Sequence, residues 1–277
     1  MKRRFIQCDV FTSVSTRGNG LAVVLDSDGL SDEAMQAFAT WTNLAETTFL
    51  LPPDDTDADY KVRIFTPAYE MPFAGHPTLG SCAAWLRAGG KPATAGIVRQ
   101  QCGVGIVEID VGGAVPAFTA PPTTIEPMPA ETLETIAAAL AVDPGRILRT
   151  AMLNNGSPRP VLELASAEDV LALDSAKVRW PAFQPIGVIG AHPPGGECDY
   201  EVRLLAPSSG MSEDPITGSL NAALAHWLQG QGRLSAPIVL AQGTKIGRVG
   251  RVYVSAVGNK VLVGGNTQIL IEGTLEL

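Results

Sequence analysis

The sequence predicts an α+β protein built from two copies of one β-rich unit, each wound around a helix. Three observations carry this. "YKVRIFTP" at 60–67 is echoed by "YEVRLLAP" at 200–207, with Tyr, Val, Arg and Pro at matching places. Each echo leads through a loop and an X-Pro pair into a small-residue apolar helix, "GHPTLGSCAAWL" and "EDPITGSLNAALAHWL". Each helix leads into a glycine-bearing strand turn, "QQCGVGIVEIDV" and "AQGTKIGRVGRVYVSA". An internal repeat constrains the architecture before any single element does.

The elements follow in order. "RRFIQCDVF" and "GLAVVLDSD" are expected as strands separated by the turn-rich "TSVSTRGN". "SDEAMQAFATWTNL" is expected as a helix, with Ser31 as its cap and Asp32 and Glu33 in a first turn that favours negative charge. "ETTFLLPP" and "YKVRIFTP" are strands ended by prolines, and "TLGSCAAWLRA" is a helix stopped by Gly89 and Gly90. "GIVRQQCGVGIVEIDV" is a strand pair around a glycine turn. "AVPAFTAPPTTIEPMPAE", with five prolines from Pro116 to Pro129, reads as a linker. A helix over roughly 130–141 opens the second half. The expected domains are 1–118 and 119–267, with residues 268–277 able to return to the first as a strand. Two such domains with a ligand cleft between them is the expected arrangement.

Composition narrows the function. The 277 residues are 45% hydrophobic, enough for a sizeable core, and the formal net charge is −8. No basic cluster provides the footprint of a nucleic-acid binder. The four cysteines (Cys8, Cys82, Cys102, Cys198) are far apart and form no CxxC pair, so buried thiols are expected rather than a metal site or disulfides. No apolar run reaches membrane-spanning length, and a cytoplasmic protein with no membrane contact is expected. GxGxxG opening a helix, the P-loop, HExxH and GxSxG are all absent, which leaves cofactor-free proton transfer as the chemistry to examine.

Three residues are candidates for that chemistry. A proline fits the first helical position, because its fixed φ suits it and its missing N–H has no partner there anyway. This places His76, before Pro77, and Asp214, before Pro215, near the caps of the two repeat helices. Small residues follow them, and a helix start offers free N–H donors to a carboxylate. A cap needs no catalytic role, so each residue alone also reads as plain structure. Glu46 heads the apolar strand "ETTFLL", where period-2 alternation places Glu46, Thr48 and Leu50 on one face and Thr47, Phe49 and Leu51 on the other. Such a glutamate is a solvated rim group or a half-buried acid/base. Arg63 and Arg203 are expected in structural ion pairs. Trp85, Trp227 and Leu228 are expected in the core, His226 on a helix face, and His192 in a Gly/Pro loop.

"NLAETTFLL", "IFTPAYEMPFAGHPTLG", "SEDPITGSLNAALAHWL", "DVFTSVSTRGNGLAVV" and "VGGNTQILIEGTL" together resemble the phenazine biosynthesis PhzF-like family, of diaminopimelate epimerase-like fold. They run in the family's order from residue 9 to about 273. The resemblance implies two pseudo-symmetric β-barrel-like domains, each around a central helix, a homodimer, no cofactor and no metal. It implies isomerisation of a small carboxylated substrate, a cyclic dihydro-hydroxyanthranilate in the type case. It implies Glu46 as the proton shuttle, His76 and Asp214 as groups that orient the substrate, and Gly75, Gly218 and Ser219 as substrate-binding positions. Two alternatives stand beside it. One is an amino-acid epimerase or racemase, although the fold's two-cysteine pattern has no match here. The other is a non-catalytic small-molecule binding protein of the same fold.

Overall fold

Two compact units divide the computed structural model, which describes residues 1–175, 185–206 and 213–277. The first comprises residues 1–119 and 264–277, the second residues 120–263. Pro207 of the second echo and Ser212 of "SEDP" lie outside the described residues.

The first unit runs β1 (Lys2–Val10), β2 (Asn19–Val24), α1 (Asp32–Thr42), β3 (Glu46–Leu51), β4 (Tyr60–Phe65), β5 (Glu70–Met71), α2 (Gly75–Arg87), β6 (Ile97–Cys102), β7 (Gly105–Asp110) and β8 (Ala117–Thr119). The second runs β9 (Thr124–Glu126), α3 (Ala130–Leu140), β10 (Ile147–Asn154), β11 (Pro158–Leu164), α4 (Ala167–Ala172), β12 (Ile186–Ala191), β13 (Tyr200–Leu205), β14 (Glu213–Asp214), α5 (Gly218–Gly230), β15 (Ile238–Gln242), β16 (Gly250–Val257) and β17 (Lys260–Gly264). The last strand, β18 (Thr267–Glu276), pairs antiparallel with β1 and completes the first unit.

The strand order is repeated. In the first unit β1/β2 is antiparallel, β2/β3 parallel, β3/β4 antiparallel, β4/β6 parallel and β6/β7 antiparallel. In the second the same sequence of senses holds for β10/β11, β11/β12, β12/β13, β13/β15 and β15/β16. In each unit a two-residue strand, β5 or β14, pairs with the strand before it and hands the chain to the helix. The proline-rich stretch is more than a linker: β8 pairs with β7, and β9 pairs with β10.

Both main helices are buried nearly all round, as their composition demands. In α2, Gly75 through Cys82 and Ala84 are buried. In α5, Leu220 through Ala225, Trp227 and Leu228 are buried. Helix α2 packs against β1, β2, β3, β6 and β18, and small residues permit the approach. A Cβ at Gly80 would stand 2.5 Å from Leu21 Cδ2 and 2.9 Å from Val10 Cγ2. Helix α1 covers the opposite face of β3, where Met35, Ala39, Phe49 and Phe65 form one apolar cluster. In the second unit the matching layer joins Ile136 and Leu140 of α3 and Val170 of α4 to Leu162, Val188 and Leu205.

Candidate active site

Glu46 is the first residue of β3, with its side chain 16% exposed, and the predicted alternation holds. Thr48 shares its face and receives a 2.9 Å hydrogen bond from Ser81 Oγ of α2. On the other face Thr47 meets Thr42 of α1 at 2.9 Å, and Phe49 enters the α1 cluster. Glu46 therefore points toward the α2 side of the strand. There its Oε2 lies 3.3 Å from His76 Nε2.

His76 is the second residue of α2 and is 5% exposed. Burial pushes its pKa down to about 3, so the ring is neutral at physiological pH. The Asn19 amide nitrogen, at the start of β2, stands 3.4 Å from His76 Nδ1. An amide nitrogen only donates, so Nδ1 is the acceptor and the ring proton sits on Nε2, facing Glu46. A neutral imidazole brings no positive charge to the neighbouring Glu46 carboxyl group. A surface hollow of about 730 Å³ beside Trp41, Arg63 and Phe65 lies on the α1 side of the sheet, and its lining includes neither Glu46 nor His76. Its Arg63 is committed to Asp32 and Glu70.

The helix starts correct the sequence reading. Ala74 caps α2, so His76 and Pro77 are its second and third residues rather than cap and first residue. Thr217 caps α5, so Asp214 and Pro215 precede the helix altogether. Proline is tolerated throughout the first turn because no N–H there has an intrahelical acceptor. "EMPFAGHP" contains two prolines, and the echo of Asp214-Pro215 is Met71-Pro72, not His76-Pro77. The structure fixes this register. Glu70 and Met71 pair with Phe65 and Ile64, as Glu213 and Asp214 pair with Leu205 and Leu204. Gly75 then matches Gly218, and His76 matches Ser219.

In this register the repeated residues are structural. Arg63 grips Glu70 through Nε and an Nη at 2.7 and 2.6 Å, and Arg203 grips Glu213 in the same way at 3.0 and 2.8 Å. The second pair is fully buried, and Arg203 also donates to the carbonyls of Val170 and Leu173. Both arginines are thus the expected ion-pair residues. The candidate site residues are not repeated. Where the first unit has His76, the second has Ser219. Where the second has Asp214 and Thr217, the first has Met71 and Ala74. The strand register sets Pro185 opposite the place of Glu46.

Asp214 ends β14. Burial pushes its pKa up, against a 2.7 Å hydrogen bond from the Thr217 hydroxyl and the nearby charge of Arg159. The first intrahelical bonds are Thr78 N to Ala74 O and Asn221 N to Thr217 O. The N–H groups of Gly75 and His76, and of Gly218 and Ser219, precede them and are donors at a positive helix end. Ser219 also holds Asn155 through its carbonyl at 2.7 Å.

Sequence reasoning missed Asn19 and two buried glutamines. Gln100 of β6 donates to Thr78 Oγ1 at 3.1 Å, and Gln242 of β15 accepts from Thr217 N at 3.0 Å. Each pins the first turn of a main helix from the strand parallel to β4 or β13. The available signal was a glutamine in each repeat's "QQCG" and "AQGT" turn. Trp85 is only half-buried, stacked on Tyr60 at 5.3 Å, whereas Trp227 and Leu228 are core. His192 lies 3.2 Å from the buried Glu201. Cys8 and Cys82 are buried, but Cys102 and Cys198 are only partly so. No residue group among those described holds three potential metal ligands together. No described helix is long and apolar enough to cross a membrane.

Known proteins now give the class and then the family. A crystallised Bacillus anthracis phenazine biosynthesis protein of the PhzF family shares the fold, with a TM-score of 0.84 over 100% of both chains at 21% identity. Trans-2,3-dihydro-3-hydroxyanthranilate isomerase of Pseudomonas aeruginosa is 33% identical over 98% of each chain. Antisense-enhancing sequence 1 of Schizosaccharomyces pombe is 34% identical over 97% of each. The protein is an isomerase by class. Residues 8–273 match the phenazine biosynthesis-like protein family, and the chain belongs to that family.

Proposed function

We propose that the protein isomerises a small carboxylated metabolite by moving a proton between two carbons on Glu46, without a cofactor. One observation supports this above the rest: the half-buried Glu46 carboxylate, 3.3 Å from a buried, neutral His76. Glu46 takes a proton from a substrate carbon and becomes an acid. It then returns the proton to another carbon as the double bond shifts, so atoms and charge balance with no further reactant. Polar substrate groups are the partners proposed for His76 Nε2–H and for Asp214. The N–H groups at Gly75 in the first unit and at Gly218 and Ser219 in the second are the proposed binders of a carboxylate. A dihydro-hydroxyanthranilate, the substrate named by the Pseudomonas relative, is the first compound to assay. A homodimer and a cytoplasmic setting are proposed with this reading, and sedimentation measures the first.

Glu46→Gln keeps the side chain's shape and removes its proton capacity. Turnover should fall by about 10² or more while ligand affinity persists. Full turnover in the variant would end the proposal. Proton exchange into substrate carbon, followed by NMR in D2O, separates the isomerase from an epimerase that inverts one carbon, and from a protein that only binds. The epimerase reading needs a second acid/base at a helix start. Cys82 does not supply it, being the eighth residue of α2 with a thiol pushed up to about 12 by burial.

A further inference from the structure

Gln242 carries an inference that rests on the proposed role of Asp214 and deepens it. Its amide is fully used. Oε1 accepts from Thr217 N at 3.0 Å and from Asn221 Nδ2 at 2.7 Å. Nε2 donates to Thr217 Oγ1 at 3.0 Å and to the Asp214 carbonyl at 3.3 Å. A backbone N–H can only donate, so the amide oxygen must face Thr217 N and the amide nitrogen must face Thr217 Oγ1. Gln242 is fully buried. The Thr217 hydroxyl has one proton. Because it accepts from Gln242, that proton goes to Asp214 Oδ2, 2.7 Å away.

The first unit offers a comparison, in which Gln100 stands at the register place of Leu240 rather than of Gln242. Gln100 donates there to Thr78 Oγ1, and that hydroxyl donates to the Ala74 carbonyl at 2.9 Å. The strand-to-helix-start bond is present, but the residues matching Asp214 and Thr217 are Met71 and Ala74. Pinning the helix therefore requires neither the threonine nor the aspartate. Their joint presence in the second unit needs a separate reason. We propose that Gln242 is a positioning residue for Asp214: through Thr217 it delivers one directed donor to the side chain, holding it as an oriented acceptor for a donor group of the substrate. The charged groups acting on Asp214 are Arg159 of β11 and Glu213, and Glu213 is itself tied to Arg203. Burial opposes ionisation, and the Thr217 hydrogen bond is the strongest effect favouring it.

The test is a 13C NMR titration of the Asp214 carboxyl carbon, its resonance assigned by its loss in Asp214→Asn. No substrate is needed. Thr217→Val should raise the titration midpoint by about one pH unit, and Thr217→Ser should restore it. Gln242→Met should raise it too, whereas Gln100→Met should leave it in place. An unmoved midpoint in Thr217→Val overturns the relay even if Gln242→Met does not fold. Equal shifts in Gln242→Met and Gln100→Met would reduce Gln242 to general support and overturn its positioning role. A confirmed relay with full turnover in Asp214→Asn would instead strike the functional reading and leave the relay standing.

Discussion

His76 is held uncharged by its surroundings, and this has a consequence for stability. Its folded pKa, about 3, lies far below the ordinary histidine value of about 6.5. The unfolded chain therefore binds the proton more readily. The contribution is fully present above about pH 6.5 and is lost as pH falls toward 3. Parent stability should drop by about 1.4 kcal/mol per pH unit more than that of His76→Gln between pH 6 and 4, measured by urea unfolding. Coincident slopes would show a solvated ring. At this scale the sequence exposed Glu46, because an acid heading "ETTFLL" is conspicuous, and His76, because the chain has only three histidines. It concealed Asn19 and Gln242. Ordinary polar residues gain a role only when a fold buries them against one another.

At the scale of elements, the two ion pairs beside the short strands make a matched comparison. Arg203 and Glu213 are fully buried, and Glu213→Gln leaves a guanidinium charge uncompensated in the interior. This should cost about 3–5 kcal/mol. Glu70→Gln breaks the same contact where Glu70 is 40% exposed and should cost no more than about 1 kcal/mol. Equal losses in denaturant melts would contradict the burial argument. Gly80→Ala should destabilise by about 1–3 kcal/mol in the same melts, because its methyl meets Leu21 and Val10 between α2 and the sheet. The start of helix α1 was legible to the residue: Ser31 Oγ caps it by accepting from Ala34 N at 3.3 Å. The start of α2 was not. Proline marks a first turn without saying which residue of it, and "EMPFAGHP" offers two prolines. Only the pairing of β5 with β4 selects the register. The short strands β8 and β9 were hidden by the prolines around them.

At the scale of the molecule, the duplication was readable because strand, helix and turn recur in the same order. The uneven distribution of the candidate residues between the units was not readable, because it depends on the corrected register. Residues 264–277 belong to the first unit, with β18 lying along β1 from Lys2–Glu276 to Val10–Thr267. A chain ending at residue 263 should leave β1 as an open edge and lose the cooperative melting of the first unit. Adding a peptide of residues 264–277 should restore that transition in calorimetry. A truncated chain that melts like the parent would show that β18 is dispensable.

The same strand orders events during translation. The ribosome releases residues 1–119 long before it makes 264–277, so the earlier-made half waits with a gap in its sheet until the chain is finished. Such a nascent chain carries a ready template for pairing with its neighbours on a polysome, and shielding by chaperones is most needed in that interval.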